Sequence, residues 1–166
     1  MQNDNRRVKN THPKEYNGIQ FKSLAEVMVY KTLLSKGIEP KYEAETYYIL
    51  DGTIVTVPFY TKNKFKRKNH NIEVVSKFTC KDMRPLTSMI YTPDFTFDYK
   101  GKHIIIEVKG FSTDTFVYRF KMFRASLEKR EDKDKIELWE IYTKRQLLEC
   151  LEHLKEETNE NTKRAK

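Results

Sequence analysis

The chain of 166 residues carries 32 lysines and arginines against 24 aspartates and glutamates, a formal net charge of +8. That length supports one domain with a core of its own, without disulfide or metal staples, and the basic excess on a mixed-charge chain favours a polyanionic partner. Two cysteines, Cys80 and Cys150, and four scattered histidines offer no zinc-ligand spacing. With no membrane-length apolar run and no charged-then-apolar leader, the expected setting is the reducing cytoplasm, away from membranes.

Residues 1–15 are polar and aperiodic and 156–166 read the same way, so both are expected as flexible tails around a single domain at 16–155. KSLAEVMVYKTLLSKG, from Lys22 to Gly37, predicts a helix. Ser23 is its N-cap, Glu26 stands in the capping-box position, and Gly37 follows the last turn. Val29, Tyr30 and Leu33 lie three, four and seven residues beyond Glu26, so Glu26 shares the inward face of this helix.

From Tyr42 to Phe97 the composition turns to Tyr, Ile, Val, Thr and Phe, with a turn signal at Asp51-Gly52, which predicts several strands and hairpins. Within it, Lys62, Lys64, Lys66, Arg67 and Lys68 cluster with no acid among them. Such a segment attracts phosphates without reading sequence, and a solvated hairpin tip explains it equally well. Ile90–Phe97 and His103–Lys109 then flank Asp98–Lys102, the connection expected of antiparallel neighbours. Phe116, Phe120, Phe123 and Leu127 form the apolar stripe of a second helix, and Lys135–Tyr142 predicts a further strand. Thr143 and Gln146 cap a last helix seamed by Leu147, Leu151 and Leu154. This order predicts an α/β fold, one mixed sheet flanked by helices.

Charge sits oddly in one of these strands. Alternate strand residues share a face, so Glu107 and Lys109 point the same way as Ile105, while Ile104, Ile106 and Val108 point the other. Charge in an apolar strand is costly unless it is paired or holds an ion. Pro93-Asp94 precedes this pair across the predicted hairpin, and the proline confines its segment to an edge or a bulge. Two carboxylates and a lysine at a sheet end suit Mg²⁺, a hard cation that prefers carboxylate and water oxygens. The matching reaction is phosphodiester hydrolysis, with Lys109 serving the phosphate or the attacking water. An edge ion pair is the competing explanation, since the same acid-x-lysine pattern recurs at Glu39-Pro40-Lys41 and Glu131-Asp132-Lys133. Neither of those copies lies in an apolar strand or follows a Pro-Asp at hairpin distance.

Pro93-Asp94, twelve residues, then Glu107-Val108-Lys109 resembles the signature of the PD-(D/E)xK nuclease superfamily, in particular its small phage-type and Holliday-junction-resolvase-like members. Phe21 to Glu26, FKSLAE, matches the glutamate-bearing helix upstream of that signature. The resemblance spans about Gly18 to Lys121 and implies a restriction-endonuclease-like core of helix, three antiparallel strands, helix and strand, with an extra strand-rich insertion here. It further implies that Glu26, Asp94, Glu107 and the Val108 carbonyl bind Mg²⁺, for which Mn²⁺ substitutes. Lys109 would serve the water and phosphate, and Arg119 and Lys121 would face the substrate. The expected activity is a Mg²⁺-dependent endodeoxyribonuclease leaving 5′-phosphate and 3′-hydroxyl ends, in phage or mobile-element DNA processing or recombination. DNA is the expected partner, with a homodimer as a further expectation. A non-catalytic DNA-binding module and an RNA-processing nuclease are the alternatives.

Overall fold

A computed structural model of the chain describes residues 14–66, 73–110 and 114–164; side chains are described outside 62–81 and 157–164. The chain divides into two compact units, one formed by residues 1–47 and 91–166 and the other by residues 48–90. The second unit is rich in strands, as the composition from Tyr42 to Phe97 predicts.

In the first unit, β1 (Lys14–Tyr16) and β2 (Ile19–Phe21) form a small antiparallel hairpin ahead of helix α1 (Leu24–Ser35). Helix α1 starts where Ser23 caps it, the serine side chain accepting from the Glu26 N–H. Gly37 follows the helix at φ 74°, a left-handed conformation that costs glycine little.

The sheet beneath α1 has four strands in the order β10-β9-β8-β3: β3 (Lys41–Tyr42), β8 (Phe95–Tyr99), β9 (Lys102–Val108) and β10 (Ile136–Ile141). β3 with β8 and β8 with β9 are antiparallel, and β10 joins β9 in parallel, with Glu140 beside Glu107 and Ile141 beside Val108. A parallel neighbour needs a crossover, which helix α2 (Asp114–Leu127) provides. The β8–β9 hairpin turns at Lys100-Gly101, both at positive φ (46° and 85°), as tight two-residue hairpin turns of type I′ require.

Ile104, Ile106 and Val108 pack with Val29 and Leu33 of α1 and with Leu147, Leu151 and Leu154 of helix α3 (Lys144–Arg164) in one apolar core. The opposite face, where Ile105, Glu107 and Lys109 point, meets α2, whose Phe120 and Phe123 lie against Tyr91 and whose Phe116 ring lies under Lys109. Glu107 thus belongs to a strand buried on both faces. The Thr143–Gln146 capping pair forms as expected, Gln146 N–H donating to Thr143 Oγ1 at 3.2 Å and Tyr142 N–H to Gln146 Oε1 at 2.9 Å.

Two expectations are corrected. Ile90–Phe97 is not one strand: β7 (Met89–Tyr91) stops before Pro93 and β8 resumes at Phe95, because proline lacks the N–H that a ladder needs at that point. The polar C-terminal stretch expected as a tail is helical, α3 running on to Arg164. Lysine, glutamate and arginine are good helix formers, so a helix already nucleated on the leucine seam propagates through them.

β4 (Tyr47–Leu50) pairs with β7, and within the second unit β5 (Phe59–Lys66) pairs antiparallel with β6 (Glu73–Asp82) with a register shift between Lys62 and Lys64.

Candidate active site

Asp94 reaches its position through the break that Pro93 imposes. Its backbone carbonyl accepts the Glu43 N–H at 2.9 Å, tying the bend to β3. Its Oδ2 accepts the Val108 N–H at 2.6 Å, tying the carboxylate to the end of β9. Glu107 and Lys109 flank that same residue, and Lys109 Nζ bonds Glu107 Oε1 at 2.6 Å while lying 3.8 Å over the Phe116 ring. Segments distant in the chain thereby line one pocket of about 390 Å³, with Lys22, Glu26 and Glu43 on one side, Asp94, Glu107 and Lys109 at its wall, and Phe116 and Arg119 on the α2 side.

The electrostatics of the wall are those of two carboxylates held too close and too dry. Burial first, and then the charge of Glu107, push the Asp94 carboxyl up to about 7, against the opposing pull of the Val108 N–H. Burial also raises Glu107, and Lys109 counteracts it. Each ionised carboxylate disfavours ionisation of the other, so near neutral pH the pair tends to keep a proton unless a positive ion joins it. Among the described residues, two buried side-chain polar atoms make no hydrogen bond, and both are here: Glu107 Oε2 and the Tyr91 hydroxyl.

Glu26 lines the pocket but is otherwise engaged. It is 6% exposed, and its oxygens accept the Lys22 N–H at 2.9 Å, the Ser23 hydroxyl at 2.7 Å and the Tyr42 hydroxyl at 2.7 Å. Val29, Tyr30 and Leu33 are buried on the same helical face, as the spacing predicts. Glu26 is therefore an inward-facing residue that ties down the start of α1, accepting the N–H of Lys22, one residue ahead of the cap, and the Ser23 hydroxyl. Glu43, missed in the sequence, lines the same pocket in a left-handed conformation at φ 45° and pairs with Lys22. No alternation or capping rule marks it.

Of the expected substrate-facing residues on α2, Arg119 lines the pocket, whereas Lys121, two residues on, is exposed and not part of its wall. Arg67 and Lys68 lie outside the described residues, and Lys62, Lys64 and Lys66 belong to β5 with side chains outside the described set. His103 is satisfied structurally, its Nδ1 2.7 Å from Asp98 Oδ1 and its Nε2 3.2 Å from Glu45 Oε2. A larger hollow of about 520 Å³, lined by Phe120, Arg124, Leu127 and Leu138 among others, contains none of the converging acids.

Tyr91 and Tyr42 were also missed. Tyr91 is 5% exposed, and its ring stacks on Phe123 with centroids 4.3 Å apart. The sequence signal is its place three residues before Asp94, which by itself reads only as strand composition.

Among the described residues no three His, Cys, Asp or Glu side chains gather at metal-ligating distance. Asp94 and Glu107 are the residues that could hold a cation here, and the donor chemistry fits Mg²⁺. That ion is commonly bound through one or two carboxylates while keeping several waters, so a three-acid cage is not required. The mutual repulsion of the pair and the orphaned Glu107 oxygen are both relieved by a positive ion. Comparison of the chain with protein-family models, with curated proteins and with solved structures finds no match.

Proposed function

We propose that the protein is a Mg²⁺-dependent endodeoxyribonuclease that hydrolyses DNA phosphodiester bonds to 5′-phosphate and 3′-hydroxyl ends, in the DNA processing or recombination of a phage or mobile element. The observation that carries this reading is the meeting of Asp94, Glu107 and Lys109 in one pocket, with Asp94 stapled to the N–H of the residue between the other two. The order α1, β3, β8, β9, α2, β10 supports the restriction-endonuclease-like core that the motif resemblance implies.

In this reading Asp94 and Glu107, with the Val108 carbonyl, hold the cation, which when bound supplies Lewis-acid stabilisation of the phosphate and an activated water. Lys109, anchored by Glu107 and by the Phe116 ring, presents positive charge where negative charge builds on the phosphate. Arg119 on the α2 side provides a second cationic contact to the backbone of the substrate. Glu26 keeps α1 seated against the site. The basic segment Lys62–Lys68 adds salt-sensitive affinity for the same polyanion.

The test is cleavage of supercoiled, linear, single-stranded and four-way-junction DNA, and of RNA, by purified protein with Mg²⁺ or Mn²⁺. Cutting that is lost in Glu107→Ala and Lys109→Ala while DNA binding survives supports the proposal. Binding with no cleavage of any substrate overturns it in favour of a non-catalytic DNA-binding module, and cleavage confined to RNA in favour of an RNA-processing nuclease.

A further inference from the structure

The Tyr91 hydroxyl and Glu107 Oε2 are the two orphaned polar atoms of the described side chains, and they occur together. Both residues are 5% exposed, so bulk water does not satisfy them. A buried polar atom without a partner costs about 1–3 kcal/mol, more when charged, and native folds rarely leave two in one place.

Neither group is placed to escape. The Tyr91 ring lies nearly parallel to Phe123, at 8° and 4.3 Å, and packs against Phe120 at 6.1 Å, so the hydroxyl is fixed by its ring. Glu107 is anchored through its other oxygen by Lys109 at 2.6 Å. Burial first, then the negative charge of Glu107 and the hydroxyl's interaction with its carboxylate, favour the neutral phenol, which makes Tyr91 a poor direct ligand and a hydrogen-bonding group whose proton turns toward Glu107 and whose oxygen is left to accept. The Arg119 guanidinium stands 5.9 Å from the centre of the same ring.

A buried carboxylate oxygen other than the one Lys109 bonds, beside a neutral hydroxyl whose oxygen accepts no hydrogen bond, is the complement of a cation that carries its own water. Resting on the reading of the pocket as a divalent-cation site, we propose that Tyr91 is a positioning residue for a hydrated cation: Glu107 Oε2 ligates the ion, and the Tyr91 oxygen accepts a hydrogen bond from one of the waters the ion retains. Mg²⁺ sheds water reluctantly, so such a water is available to be held. Groups acting one layer beyond the ligands commonly change metal affinity by about 10- to 100-fold.

The experiment is Mg²⁺ titration by calorimetry on the wild type, Tyr91→Phe and Glu107→Gln, with melting temperatures in chelator as the folding control. Wild type should bind, Glu107→Gln should lose binding, and Tyr91→Phe should bind about tenfold more weakly while melting no lower than wild type in chelator. A purely structural tyrosine would reverse that pattern, lowering the melting temperature and sparing the affinity. Wild-type affinity in Tyr91→Phe overturns the proposal and leaves the cation site standing; no binding by the wild type removes both. Independently of how that variant folds, fluorotyrosine placed at position 91 should report Mg²⁺ by a shifted resonance that Glu107→Gln abolishes. An unmoved resonance in cation-saturated wild type overturns the proposal.

Discussion

Asp94 accepts the backbone N–H of Val108 at 2.6 Å, and through that bond the residue after the proline break is locked to the strand that bears Glu107 and Lys109. The bond stabilises the ionised carboxylate, yet burial and Glu107 together outweigh it and the Asp94 carboxyl lies at about 7. A carboxyl raised in the folded state binds its proton more tightly there than in the unfolded chain. Above the ordinary carboxylate range the fold must then deprotonate a group that prefers not to be. In chelator, stability should fall as pH rises from about 4 through about 7 and then level off. Mg²⁺ should flatten that slope. Asp94→Asn should also remove most of it, giving a variant more stable than wild type at pH 8 without cation but inactive. Thermal melts across pH, with and without Mg²⁺, check this.

Glu26 accepts three hydrogen bonds at the start of α1. Glu26→Ala should cost about 2–3 kcal/mol, since a cap alone is worth about 1 kcal/mol and the Tyr42 hydroxyl would also lose its acceptor. Glu26→Gln should retain part of the network. If capping is its whole role, Mg²⁺ affinity in Glu26→Gln stays within about threefold of wild type, whereas a direct ligand would lose far more. Denaturant melts and Mg²⁺ titration separate the two.

Lys109 neutralises Glu107 in addition to facing the pocket. Lys109→Met should lower the cleavage rate about 10²- to 10³-fold, the usual loss for one preorganised electrostatic contact. Without the ammonium, Glu107 holds its proton to higher pH, so the acid limb of any residual activity should move upward. A pH–rate profile of the variant reads this shift.

Arg119 lines the pocket and Lys121 does not. Arg119→Ala should weaken DNA binding and reduce its salt dependence by about one released ion, and Lys121→Ala should do neither. Binding isotherms at several salt concentrations give the slopes.

The β8–β9 turn offers a test of the fold alone. Lys100 sits at φ 46° in the turn completed by Gly101, a conformation better suited to asparagine. Lys100→Asn should raise stability by roughly 0.5 kcal/mol, and Gly101→Ala at φ 85° should lower it by about 1 kcal/mol.

The local elements were legible because local chemistry produces them. Ser23, Glu26 and Gly37 bound α1 through hydrogen bonds within a few residues of each other, and Thr143 with Gln146 starts α3 in the same way. The β8–β9 hairpin follows from its turn residues, and the shared face of Glu107 and Lys109 from strand alternation. Sequence by itself therefore determined the helices, the hairpin and three candidate site residues in order along the chain. It did not separate a metal ligand from a cap at Glu26, because both roles want an inward-facing carboxylate.

Tertiary structure alone decided that Glu107 lies in a strand covered on both faces, that Tyr42 closes over Glu26, and that Tyr91 and Glu43 join the pocket. The physical reason is distance along the chain. Desolvation, the repulsion between Asp94 and Glu107, and the orphaned hydroxyl of Tyr91 arise only when α2 folds back over β9 and excludes water. A periodicity counts which face a residue takes, and leaves open what the fold brings to meet it.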